Sequence, residues 1–336
     1  MPRRLIAIGR FSFGIAPLVA LLCLLAPAQV APTTARQKVI IDTDIGDDID
    51  DVFAVALALS SPDLEVLGIT TAWGDTQLRA RLVDRLLCET GTQNIPVLAG
   101  VPTESRVPLD HRRWAERFPK PDKPYPPAAN FIREQIRKYP SQITLLAIAP
   151  FTNVGGLIER DPETARKLKR IVIMGGSVYR GYNDYSYMPN HHPDAEYNIA
   201  SDVPAARRMF AAGVPLFVMP LDSTQIKLDE TRRQIIFQQS TPLTDALTLL
   251  YHQWGQLTPT LFDPVAVAFA ISPEICPTTK MRLEIDDKGF TRPAPGAINA
   301  EVCLNSKSDD FFQLYMTRVL NQNLAGHCSR QEPPKH

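Results

Sequence analysis

The stretch Val39-Ile40-Ile41-Asp42-Thr43-Asp44-Ile45-Gly46-Asp47-Asp48-Ile49-Asp50-Asp51 begins with three apolar residues, and six of the ten positions that follow are aspartate. Val39 to Ile41 has the composition of a short buried strand, and the apolar run from Val52 to Leu59 that of a covered helix. The loop between them concentrates like charge that repels itself unless a cation, protonation or water relieves it. Hard oxygen ligands at a strand end suit Ca²⁺ or Mg²⁺ rather than a soft metal, and Gly46 permits the sharp turn they need. The plainer alternative is a solvated acidic loop entering a helix N-terminus, where aspartate is favourable without an ion.

The pattern continues along the chain. Apolar runs at Val66 to Thr70, Ile143 to Ile148, Ile171 to Met174 and Leu216 to Met219 read as further buried strands. Between them, Gln77 to Glu89 and Asn130 to Lys138 carry amphipathic helical spacing. Strand alternating with helix predicts an α/β fold: a mainly parallel, Rossmann-like open sheet flanked by helices, with ligands beyond the carboxyl ends of its strands. The residues just past those ends are Asp42 and Asp44, Trp73-Gly74-Asp75, Pro150 to Asn153, Gly175-Gly176 and Asp222, so polar groups converge on one rim. Two long loops, proline-rich Arg106 to Pro127 and tyrosine-rich Val178 to Tyr197, read either as lids or as ordered surface excursions.

The 336 residues, 44% of them hydrophobic, are enough for a substantial core. Residues 1–28 stand apart: Arg3, Arg4 and Arg10 precede an apolar run to Leu25, and Ala26-Pro27-Ala28 supplies small residues for cleavage. This reads as a secretory signal, with an uncleaved anchor as the alternative, and it predicts a periplasmic or secreted protein without stable membrane association. Its removal would leave 33 basic against 36 acidic residues, a balance that argues against nucleic acid as a partner. Cys88, Cys276, Cys303 and Cys328 lack metal-ligand spacing, and both disulfides and buried thiols remain open.

Several motifs together resemble the inosine/uridine-preferring nucleoside hydrolases, which cleave the N-glycosidic bond of ribonucleosides with a bound Ca²⁺. They are Ile41 to Gly46 with Asp50-Asp51, Gly68 to Thr71, Ala149 to Asn153, Met174 to Gly176, Ala195 to Asn198 and Asp263-Pro264. The resemblance implies one hydrolase domain over 38–325, a small-molecule ribonucleoside as substrate, and assembly as a dimer or tetramer. It implies Asp44, Asp51 and Asp263 as side-chain Ca²⁺ ligands, Thr152 as a backbone ligand, and Asp44 as the base that takes a proton from water. It further implies ribose contacts from Asp50, Met174, Asn190, Glu196 and Asn198. Carboxylates suit this chemistry, because breaking the bond to the base builds positive charge on the sugar.

The chain departs from that pattern in three places. Two extra residues lie between Gly46 and the final aspartate pair, leaving the register of Asp47 and Asp48 against Asp50 and Asp51 open. Phe262 stands where much of the family has a histidine acid, and Asp75 where asparagine is common. Phe262, Trp73 and Asp75 are therefore expected on the base side, in the manner of the purine-preferring branch, with aromatic stacking helping the base to leave. Asp263 before Pro264 also reads as a helix cap, and Thr152-Asn153 as another. Two further functions stay in play. One is a Mg²⁺-dependent phosphatase of the haloacid-dehalogenase type, suggested by Asp42-x-Asp44 after a strand; the other is a calcium- or nucleoside-binding protein without catalysis.

Overall fold

In the computed structural model the described residues are 35–182, 189, 192–326 and 328. The expected signal segment 1–28, Asn190 and its neighbour His191 lie outside them.

The decisive stretch folds as β1 (Gln37–Thr43), a loop, and α1 (Asp50–Leu59). Side chains alternate across a strand, so Val39 and Ile41 enter one core while Ile40 enters the other, and all three are fully buried. Burial on both faces is what a central parallel strand requires. The remaining strands are β2 (Leu64–Thr71), β3 (Val97–Ala99), β4 (Ile143–Ile148), β5 (Arg170–Met174), β6 (Leu216–Met219), β7 (Thr278–Met281), β8 (Leu283–Ile285), β9 (Thr291–Pro293) and β10 (Ala300–Cys303). Among the described residues, eight form one sheet in the order β3-β2-β1-β4-β5-β6-β10-β7, parallel throughout except where β7 meets β10. β8 and β9 pair separately. The expected open, mainly parallel sheet is thus present.

The chain winds from β1 through β2 to β3 and then returns to place β4 on the other side of β1. Loops leaving β1 and β4 therefore part in opposite directions, opening a crevice at the carboxyl rim. Asp42 sits at that rim, paired in register with Thr70 of β2 and Ala147 of β4.

α1 is buried over nearly its whole circumference and packs against the helix Phe262–Ile271, equally apolar and equally covered. Each fully buried Val, Leu or Phe contributes about 1.5–3 kcal/mol relative to exposure. This pairing brings two sequence-distant helix starts together. Asp263 is not the cap of its helix: Leu261 holds that position, and Asp263 lies in the first turn with its backbone N–H donating to Asp50 Oδ2 at 3.3 Å. Thr152 likewise opens the helix Thr152–Arg160 without capping it, and its hydroxyl donates to Asp202 at 2.9 Å.

The proline-rich loop contains a short helix, Arg112–Glu116, anchored by buried Trp114. The four cysteines are joined as Cys88–Cys328 and Cys276–Cys303, which resolves the alternative left by their spacing.

Candidate active site

The loop between β1 and α1 turns at Gly46, whose φ of 126° is a conformation that side-chain-bearing residues avoid. The carboxylates that follow face a cavity of about 220 Å³. Asp44, Asp47, Asp48, Asp50, Asp51 and Asp263 line it together with Glu196, Asn198 and Met174, the aromatics Tyr182, Tyr197 and Phe262, and the aliphatics Val107 and Ile148.

Asp50, Asp51 and Asp263 form the tightest group, each offering an oxygen within 4.8 Å of the others. All three are buried, and burial followed by neighbouring carboxylates holds each well above the usual aspartate range. The Thr43 hydroxyl donates to Asp51 Oδ1, fixing that carboxylate from below. Buried like charges at this distance destabilise one another unless protonated or bridged by a cation. The donor set is all oxygen and all acidic, so it fits a hard divalent ion. Asp50, expected on the ribose, belongs to this cluster, while Asp44 lies beside it in the same cavity. Asp50 and Asp51 open the helix, Asp48 shares the cavity lining with them, and Asp47, also in that lining, pairs with Arg79 at 2.7 Å.

Asp44 is raised to about 7 by burial, against the pull of Arg79 and with a smaller push from Asp47. A neighbouring cation would favour the ionised form of this carboxylate, the form that can accept a proton from water.

In the same lining, Glu196 is buried and accepts three backbone N–H bonds: from Gly176 at 2.9 Å, Asn198 at 2.9 Å and Ile199 at 3.1 Å. It caps the short helix Tyr197–Ser201, and burial still raises it to about 7. Asn198 donates to the Met174 carbonyl at 3.1 Å, which ties the turn after β5 to this helix. Phe262 and Tyr182 meet edge to face with centroids 6.1 Å apart, giving the cavity an aromatic wall.

Three expected residues are not brought to the cavity lining. The Thr152 hydroxyl donates to Asp202, which leaves the expected role of its backbone carbonyl untouched; exposed Asp75 caps the helix α2 (Thr76–Glu89) by accepting from Leu78 N at 3.1 Å; and Trp73 presents its carbonyl to Arg79. A helix start explains the acid at position 75 without any ligand. Lys169 and Lys227, the lysines a phosphatase would need nearby, are also outside the lining.

Sequence reasoning overlooked two supports. Asn153 donates to Asp42 Oδ1 at 2.8 Å and to the Thr71 carbonyl at 3.1 Å, locking β1, β2 and the helix after β4 together at the rim. Arg79 is buried behind the acidic loop. Its signal was its phase: it shares the apolar face of α2 with Val83 and Leu86, where a charge needs a partner.

Comparison with known proteins agrees with this geometry. A family model described as inosine-uridine preferring nucleoside hydrolase matches residues 39–313. Uridine nucleosidase 1 of Arabidopsis thaliana is 30% identical over 277 residues, 76% of this chain and 80% of its own. The pyrimidine-specific ribonucleoside hydrolase RihA of Citrobacter koseri is 32% identical over 273 residues, covering 75% and 84%. Among solved structures, a plant nucleoside hydrolase superposes with a TM-score of 0.73 at 24% identity, covering 85% of this chain and 99% of that one. A purine-preferring ribonucleoside hydrolase from Gardnerella vaginalis gives 0.70 at 24% identity, covering 84% and 98%.

Proposed function

The chain belongs to the inosine-uridine preferring nucleoside hydrolase family, and from that premise we propose that it releases free base and ribose from ribonucleosides with a Ca²⁺ ion at the acidic cluster. The observation that supports this reading is the cavity itself, whose lining combines the clustered Asp50, Asp51 and Asp263 carboxylates with Glu196, Asn198 and Met174. Asp51, Asp263 and Asp44 would hold the ion, with Asp50 beside them. When bound, a divalent ion supplies the positive charge that lets these carboxylates ionise together and makes nearby water more acidic.

The chain's own groups do the rest. Asp44 takes the proton from the attacking water. Glu196 and Asn198 hold ribose hydroxyls, and Met174 packs beneath the ring. Positive charge growing on the sugar is stabilised by the surrounding carboxylates more than the ground state is. Phe262 and Tyr182 flank the departing base. With no histidine at position 262, stacking on an aromatic wall replaces proton donation, and this favours the larger purine ring.

We further propose export. The signal-like segment 1–28 motivates it, and the Cys88–Cys328 and Cys276–Cys303 bonds suit an oxidising compartment.

Ribose release is to be measured from inosine, guanosine, adenosine, uridine and cytidine, with and without chelator. Turnover lost to chelator and restored by Ca²⁺, fastest with the purines, is expected. Equal rates with chelator present would remove the cation from the reading; faster uridine or cytidine would reverse the base preference.

A further inference from the structure

Arg79 is a buried charge that the reaction proposed above leaves without a role. It is 1% exposed, and each of its three nitrogens donates to one of the two turns at the rim. Nε donates to the Trp73 carbonyl at 2.8 Å. One terminal nitrogen donates to the carbonyls of Asp44 and, at 3.1 Å, Ile45, and the other to Asp47 Oδ2 at 2.7 Å. Trp73 holds a φ of 64°, a conformation costly for a residue with a side chain. At Gly74 beside it, φ 61°, a Cβ would lie 3.3 Å from the guanidinium. Two left-handed residues thus wrap one cation, which is how the turn after β2 is joined to the acidic loop after β1.

A guanidinium here conflicts with a metal ion. Its charge reaches the carboxyl groups of Asp44 and Asp51, so it would repel an ion gathered by those same groups. Asp47 removes the conflict. It is 8% exposed, pairs with Arg79 through one oxygen, and has no hydrogen-bond partner for the other among the described residues. It also lies in the part of the loop that is two residues longer than the family pattern.

We infer that Asp47 and Arg79 form a charge-neutral brace behind the cation site: the guanidinium fixes the backbone that carries Asp44, and the Asp47 carboxylate cancels its charge toward the ion. Both are positioning residues, and the inference rests on the cation-dependent reading given above.

Calcium binding is to be titrated calorimetrically into the full chain, Asp47→Asn, Arg79→Gln and the double variant, with the melting temperature of each taken in chelator. Asp47→Asn leaves the guanidinium uncancelled and is expected to bind calcium about ten-fold more weakly, or about 1.4 kcal/mol. The double variant is expected to recover most of that loss. Arg79→Gln strands a buried carboxylate and is expected to melt lowest of the four. Wild-type affinity in Asp47→Asn would overturn the inference. So would a double variant as weak as Asp47→Asn, which would make Asp47 a direct ligand, or an unchanged melting temperature in Arg79→Gln. If Asp47→Asn does not fold, Asp47→Glu keeps the charge and is expected to stay within about three-fold of wild type; a ten-fold loss there counts against the brace. A wild-type chain that binds no calcium, and turns over nucleoside equally in chelator, overturns the cation reading and the brace with it; failure confined to the variants touches the brace alone.

Discussion

In the proposed reaction, Asp44 is the group whose loss would separate chemistry from folding. Asp44→Asn keeps the shape of the side chain and removes its basicity, so kcat is expected to fall about 10³-fold, within the range for a positioned proton acceptor, with melting shifted little. Steady-state kinetics beside a thermal melt checks both. The titration of the site has a definite sign. Burial raises Asp42 to about 6 and Asp44 and Glu196 to about 7, and holds Asp50, Asp51 and Asp263 higher than an ordinary aspartate. In each case the folded chain keeps a proton that the unfolded chain gives up from about pH 4, so cation-free stability falls as pH rises toward 7. Glu196 alone accounts for about 3 kcal/mol of this change. His111, lowered to about 4 by burial, acts in reverse: stability is lost as pH drops below about 6.5, because only the unfolded chain takes up the proton. The carboxylates outnumber it, so melting in chelator is expected to be higher at pH 5.5 than at pH 8, with calcium closing the gap at pH 8. A gap of the opposite sign would show that the cluster does not titrate as a buried group. The acidic cluster after β1 was legible because acids crowded at one strand end can coexist only with a cation or with protons between them, whereas Asp263 entered only through the family resemblance. Arg79 and Asn153 were not, since most of their partners are backbone carbonyls, which have no letter in the sequence.

Asp75 caps α2, and that residue illustrates how an element can claim an acid expected at the site. Asp75→Ala removes the bond to Leu78 N and is expected to cost about 1 kcal/mol of stability, with nucleosidase turnover unaffected. A large fall in kcat/KM would return Asp75 to the substrate. The parallel strands β1, β2, β4, β5 and β6 were readable because burial on both faces leaves continuous apolar runs. β3 escaped notice, having only three residues. β7 and β10 did so for a different reason: Thr278–Met281 is half exposed at the sheet edge, and Ala300–Cys303 is interrupted by Glu301. Asp263 has the sequence signature of a cap because Asp-Pro is a common helix opening; the apolar contact between its helix and α1 overrides that local preference.

Across the molecule, the disulfides join segments that the sheet leaves far apart in sequence. Cys88–Cys328 spans 240 residues and Cys276–Cys303 spans 27. Each is worth about 2–4 kcal/mol, so full reduction is expected to lower the melting temperature by roughly 5 °C or more while turnover at 25 °C persists. Calorimetry with and without dithiothreitol tests this, and an unchanged melt would mean the bonds do not restrain the unfolded chain. Fold class and family were legible from the alternation of elements and from ordered motifs; the cysteine pairing was not, because connectivity depends on a tertiary arrangement that spacing does not encode. Asp50 and Asp263 touch although 213 residues separate them. During synthesis, or in a chain threaded head first through a translocation pore, residues 42–51 emerge long before position 263 can join them. On the proposed cation-dependent reading, ion capture would be a final latch that cannot nucleate the fold, and the calcium level that mattered would be the one where assembly finishes, whatever the level where translation began.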